Sequence, residues 1–450
     1  MALWTLLLLA VAMPAVAQDE DFRIYKDPPR ILLTAQRAKR LQRETTRDSL
    51  RWRQFHSLAE NKADFPEPGF AWALHYAAAG DAESAKAAIA WAVKPSSGDP
   101  RQLALVYDWC FKALDPTQKA LIAGKLRKTL NEAPASRMDA VRGQVFAAAA
   151  LCEDAPAESE KILKHAVLEW WRKSIAPALV AGKLAVRREE LPALFEIMHL
   201  VQDNLKIDLR DDARGFFKSL PAWHMLSHYP APLETPENQY RIPVFTGGGE
   251  PDIANAVLSR AAELMMVAYD NNATESQFLQ GYLIQDRFLL RSAYGIPYEF
   301  LWANPYQPGL PFEKMDPFLH DALGGRFFVR SSWEEDSTWF GFFDGNMQYF
   351  ADGQIRQLNS ESLGKPIEIG GVTVMLGREE MKIPLPASAL EDGAHYFILG
   401  LPPRTAFDIE VDDEEMYEAH SDSSGILSIE ITKGAQGRLW IHKPHLDSRP

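Results

Sequence analysis

Between Thr34 and about Leu290 apolar positions recur every three to four residues, the spacing of one buried stripe on a helix. The stretches 70–79, 82–93, 100–113, 116–130, 137–152, 157–172, 190–202, 209–227, 253–270 and 276–290 each fit a helix. Thr34 is a suitable N-cap for a further one running through Leu41 and Trp52, and Asp115-Pro116 sets a capping carboxylate before a proline at the first helical position. The breaks between these segments are short, so consecutive helices must pack antiparallel, as hairpins. Periodicity alone leaves a superhelix and a closed α/α toroid equally open. Near Pro311 the period changes to two. RFFVRSSW (326–333), TWFGFF (338–343), QIRQLN (354–359), VTVML (372–376), HYFIL (395–399), AFDIEV (406–411), ILSIEI (426–431) and RLWIH (438–442) read as strands separated by turn residues. The expected fold is an α+β chain: helical hairpins over residues 18–310, then a small antiparallel β-sandwich over 311–450.

The first residues, MALWTLLLLAVAMPAVA, fit a secretory leader covering 1–17. An apolar core ends at Pro14, and Ala15 to Ala17 supply the small-x-small cleavage pattern, although no Lys or Arg precedes the core. The expected location is therefore periplasmic or secreted, with no stable membrane insertion once the leader is removed. Two cysteines, Cys110 and Cys152, are too few for a disulfide framework, and both a single bond and two inert buried thiols fit their apolar surroundings. A formal charge of −13 argues against a nucleic-acid partner. The 12 Trp serve a large core as readily as they would stack sugars.

Few residues carry chemistry on pattern alone. On 191–212, Glu196 and His199 lie three apart and Asp203 four further on, a workable acid/base face or a solvated ion-pair face. His224 and His228 have the spacing of a zinc half-site, but the glutamate of a metalloprotease helix is missing, and no metal is expected. The stretch 229–251 is a long Pro- and Gly-rich connection, a length that is often functional. It holds Tyr240 beside Arg241, a phenol next to a cation that would lower its pKa and grip a carboxylate. The acidic run at 408–418 reads as a solvated hairpin.

Two segments resemble the heparinase II/III-like family. PPRILLTAQRAKRLQ (28–42) is similar to the family's entry into its first helix. FFVRSSWEEDSTWFGFFDG (327–345) is similar to the strand pair opening its sandwich, with Arg330, Ser331, Ser332, Trp333 and Trp339 in order. The resemblance implies an incomplete α/α toroid joined to a β-sandwich. It also implies a polysaccharide lyase that neutralises a uronate carboxylate, removes the C5 proton and expels the 4-linked oxygen. The chain departs from the family where an Asn/His pair is expected: DAVRGQVFAAAAL (139–151) offers Arg142, Gly143 and Gln144. NMQYFADGQIRQLNS (346–360) lacks the expected histidine. The resulting expectation is an exported carbohydrate-active protein acting on a uronic-acid polysaccharide without a cofactor. Tyr240, His199 and Glu196 are the catalytic candidates, and Arg142, Gln144 and Arg241 the substrate-binding ones. The alternative is a catalytically silent glycan-binding protein on the same scaffold.

Overall fold

The computed structural model describes residues 20–444, apart from 184, 235–238, 246–251, 286–289, 362, 387–392 and 413–414. The expected leader, 1–17, and the run Gly247 to Gly249 lie outside the described residues. The helical part begins with α1 (Ala35–Thr46), α2 (Leu50–Glu60), α3 (Pro68–Ala79), α4 (Ala82–Val93) and α5 (Pro100–Trp109). It continues through α6 (Pro116–Asn131), α7 (Met138–Ala150), α8 (Pro156–Lys164), α9 (Ala176–Val180) and α10 (Leu191–Leu205). It closes with α11 (Arg214–Leu226), α12 (Ile253–Tyr269), α13 (Thr274–Gln285) and α14 (Gly295–Trp302).

Side-chain caps set most of these starts. Thr34, Asp81 and Asp99 each accept a backbone N–H of the first turn, and Asp115 forms a reciprocal capping box with Gln118. The expected single helix through Leu41 and Trp52 is instead two. Asp48 turns to φ 49° and Ser49 caps α2, so the apolar stripe restarts at a new angle. A wide-turned stretch, His165–Ile175, joins α8 to α9 without a cap.

The helices α3, α5, α7, α10, α12 and α14 pack side by side in that order, and α14 returns to α3. The others back this ring: α4 against α3, α6 against α5 and α7, α8 against α7, α13 against α12 and α11. The close approach of α5 and α7 needs Gly143, where a Cβ would sit 3.3 Å from the Pro100 ring. This closure is the toroid that periodicity had left open. Among the described residues no helix is long and apolar enough to cross a membrane.

A short ribbon, β1 (Leu233–Glu234) and β2 (Gln239–Tyr240), interrupts the long connection. The β region then forms three sheets rather than the two of a simple sandwich. The first has the order β3 (Phe318–Asp321), β4 (Arg326–Arg330), β5 (Trp339–Phe343), β6 (Asn346–Ala351) and β7 (Gln354–Leu358). The second joins β8 (Ile367–Ile369), β9 (Val372–Leu376), β11 (Ala394–Leu399) and β14 (Leu427–Ile431) in the order β14-β11-β9-β8, and its β9–β11 pair is parallel. The third has the order β10-β15-β12-β13, from β10 (Glu380–Pro384), β12 (Ala406–Val411), β13 (Glu415–His420) and β15 (Arg438–His442). The acidic run lies on the β12–β13 hairpin, as expected.

Alternation along single strands shows how the layers stack. Phe328, Trp339 and Phe343 of the first sheet join the helical core, while Phe327, Val329 and Phe340 face Phe397 and Leu399 of the second. Tyr396 and Ile398, on the other face of β11, meet Phe407, Ile409 and Leu439 of the third. The order is ring, five-stranded sheet, four-stranded sheet, four-stranded sheet.

Candidate functional site

Five ring helices carry a polar side chain within two turns of their N-termini, and these side chains meet. Glu67 precedes α3, Arg101 is the second residue of α5, Arg142 and Glu196 lie in the second turns of α7 and α10, and Tyr298 in the first turn of α14. The Arg101 Nε donates to Glu196 Oε2 at 2.8 Å and its Nη2 to Oε1 at 2.6 Å. Its Nη1 donates to Glu67 Oε1 at 3.0 Å. The Arg142 Nη1 donates to Glu196 Oε2 at 3.1 Å, and the Tyr298 hydroxyl to Glu67 Oε2 at 2.7 Å. The N-terminal ends of the ring therefore converge on one mouth, where orphan backbone N–H groups and aligned peptide dipoles favour anions.

The mouth has a sealed floor and an open rim. The Glu196 and Arg101 side chains are 0% and 1% exposed, whereas those of Arg142 and Glu67 are 18% and 21% exposed. Burial alone would depress Arg101, but Glu196 and Glu67 overturn that and hold it above the ordinary guanidinium value. Arg101 also lies over the Phe70 ring, 4.7 Å from its centroid, which supports it from beneath. Arg142 turns its Nη2 toward Asp139, an exposed partner at 3.2 Å. Tyr294, half-buried beside Tyr298, is pushed up to about 12 by burial and then by the charge of Glu67.

A second network sits where the ring meets the first sheet. Glu263 of α12 has Arg260 Nε 3.2 Å from one oxygen, and on the other a hydrogen bond with His224 Nδ1 at 3.2 Å, with His228 Nε2 3.3 Å away. Burial holds the imidazoles of His224 and His228 down at about 4 and about 3. Burial would raise Glu263, but Arg260 and the histidines hold it at about 2. Arg188 donates to Ser227 Oγ at 2.9 Å and to Ser259 Oγ at 2.5 Å. The sheet is pinned above by Trp339 Nε1, which donates to the Leu226 carbonyl at 2.7 Å, and by Tyr229, which donates to Gln348 at 2.5 Å. Among the described residues no group of three or more His, Cys, Asp or Glu is placed to share a cation. The spacing of His224 and His228 serves a buried charge network instead.

Of the six residues singled out in the sequence, Arg142 and Glu196 come together at the mouth. His199 does not join Glu196. Its Nε2 lies 3.0 Å from the Met265 carbonyl and its Nδ1 3.4 Å from Arg37, and burial holds the ring neutral, so both nitrogens are spent inside the core. The expected Glu196–His199 acid/base face is corrected accordingly: Glu196 spends its carboxylate on two arginines. Gln144 points away from the mouth, donating to the Ala133 carbonyl and accepting from the Ala135 N–H, both at 2.9 Å. It ties down the turn before α7. Arg241 lies 3.6 Å from Glu335 and 5.6 Å from the Tyr282 ring centroid, at the seam with the sheets. The backbone of Tyr240 pairs with Leu233 across the ribbon, and its side chain lies outside the described part of the molecule.

Sequence reasoning missed Glu67, Arg101, Tyr294 and Tyr298. Arg101 had no signal in the sequence, because the burial of every residue from Arg101 to Trp109, which demands a charged partner for it, is set by the surrounding helices. The tyrosines had none, because GIPYEFLW was not read as a helix. No family model matches the sequence, and no curated protein matches it.

Proposed function

We propose that the chain is an exported carbohydrate-active protein that binds a uronate-containing polysaccharide at the N-terminal mouth of its helical ring. One observation carries this reading: Arg142 is anchored through Nη1 to the sealed Glu196 and holds its Nη2 at the open rim against the exposed Asp139, where the ring's helix dipoles favour an anion. A uronate carboxylate displaces the exposed Asp139 from Arg142 and takes its Nη2, a charge-assisted contact on the rim. With that carboxylate neutralised, the C5 proton becomes acidic enough for β-elimination. The proton leaves C5, the C4–O bond breaks, a C4–C5 double bond forms, and the departing oxygen takes a proton. Tyr294 is the phenol at the rim in this scheme, receiving the first proton when ionised and returning it to the leaving oxygen.

A second reading, binding without cleavage, draws on the raised Tyr294 phenol and on His224 and His228 being sealed from solvent. Incubation with a panel of uronic-acid polysaccharides separates the two. Cleavage produces ultraviolet absorbance from unsaturated ends, rises with pH into the alkaline range because the phenol must ionise, and disappears in Tyr294→Phe. Binding that weakens in Arg142→Ala, with no absorbance at any pH, establishes the second reading. Absence of binding to every acidic polymer overturns both.

A further inference from the structure

The helix α1 carries four cations, Arg37, Lys39, Arg40 and Arg43, and a single acid, Glu44. Glu44 turns inward, 3.7 Å from Arg51. Two of the cations have structural work. Arg37 bonds the Leu32 carbonyl and lies 3.7 Å from Asp203, and Arg40 bonds the carbonyls of Leu301 and Trp302 at the end of α14. Arg40 sits where the C-terminal end of the α14 dipole favours a cation.

The remaining two, Lys39 and Arg43, are exposed, as is Arg47 just past the helix. Lys39, Arg43 and the C-cap residue Arg47 form no ion pair with a described carboxylate. Instead Arg43 and Arg47, four apart on one face of α1, place their guanidiniums 5.4 and 5.5 Å from the ring centroid of Tyr306, itself 43% exposed. Like charges at this spacing repel in an isolated helix. Tyr306 therefore holds together a fork of cations that lacks an anion. Burial and then Arg37 push Arg40, just beneath, down to about 9. The fork is therefore a local concentration of positive charge on a chain whose net charge is −13.

Lys39, Arg40, Arg43 and Tyr306 border a groove of about 280 Å³ that also includes Asn271 and Asn304, and Arg47 adjoins it through the shared Tyr306 ring without lining it. Ala268, Asn271 and Asn304 belong to the C-terminal ends of α12 and α14, so the groove is at the opposite pole from the mouth. Ring helices such as the 15-residue α10 separate the two poles by roughly 20 Å.

We infer that this groove is a second binding site for one acidic sugar unit, its carboxylate taken by Arg43 and Lys39 of the lining with Arg47 adding its charge across Tyr306, and its hydroxyls by the amides beside it. The volume is at the small end for ligand pockets and suits one ring rather than a chain. Planar guanidiniums held on an aromatic face are pre-organised for bidentate carboxylate binding. The choice of a sugar acid rests on the reading of the mouth given above.

The test is calorimetric titration of the full chain with a galacturonate trimer, and with cellotriose as the neutral control. Wild type is expected to bind two galacturonate trimers and no cellotriose. The Arg43→Ala/Arg47→Ala variant keeps one site, and the lost site in wild type weakens with salt, as exposed charge contacts do. Arg142→Ala keeps the other site. An unchanged stoichiometry in Arg43→Ala/Arg47→Ala, or equal binding of cellotriose, overturns the inference. A single wild-type site that vanishes in Arg43→Ala/Arg47→Ala and survives Arg142→Ala supports the groove and overturns the mouth instead. No binding of the trimer overturns both.

Discussion

Arg101 and Gln144 show how differently two buried polar residues near one site behave. Arg101 neutralises Glu196, a carboxylate with no exposed surface. Removing it leaves that charge with only the rim residue Arg142. Breaking a buried pair in this way typically costs about 3–5 kcal/mol. Gln144 makes two backbone hydrogen bonds in the turn before α7, whose loss costs about 1–3 kcal/mol. Urea denaturation should therefore place Arg101→Ala well below Gln144→Ala, and only Arg101→Ala should weaken binding of an acidic glycan. Loss of binding in Gln144→Ala with its stability intact would restore Gln144 to the site. Arg142 and Glu196 were each visible in the sequence, but their pairing joins α7 to α10 across 54 positions, and no spacing rule reaches that far.

At the scale of elements, helices with a capping residue and an apolar stripe were legible nearly to the residue, as in α4 and α6. Short elements buried all round were legible only in part. The helix α14 has every residue buried, so it shows no polar face to set a period. The strand β11 is buried on both sides, with Phe397 and Leu399 facing one sheet and Tyr396 and Ile398 the other. Its apolar run announced a strand but not the three-sheet stack that buries it. Phe397, 1% exposed and stacked 4.0 Å from the Phe327 ring, anchors the first of these interfaces. Phe397→Ala should cost about 3–5 kcal/mol in denaturant unfolding. A loss below 1 kcal/mol would mean the sheets are not packed at that interface.

At the scale of the whole molecule, four sealed histidines among the described residues tie stability to pH. Burial keeps His199 well below its ordinary value, and holds His75 and His224 at about 4 and His228 at about 3. An unfolded histidine titrates near 6.5, so between that pH and the folded values the unfolded chain binds more protons than the native one. Stability is then full above pH 6.5 and is lost as pH falls through this window, by up to about 1.4 kcal/mol per pH unit for each histidine. Glu263, held at about 2, adds a loss of the same sign below its ordinary 4.5. The thermal midpoint should fall steeply from pH 6.5 to 4, and less steeply in His228→Gln. A midpoint unchanged over that range would contradict the sealed, neutral imidazoles.

The sequence by itself determined which stretches coil and which extend, where the change occurs near residue 311, and where most helices begin. Those properties rest on period and on capping residues, which act over a few positions along the chain. Only the tertiary structure decided that the helices close into a ring, that the sheets stack three deep, and that polar residues from α3, α5, α7, α10 and α14 share one mouth. These follow from packing between segments far apart in sequence, where burial forces each charge to find a partner that local spacing does not specify.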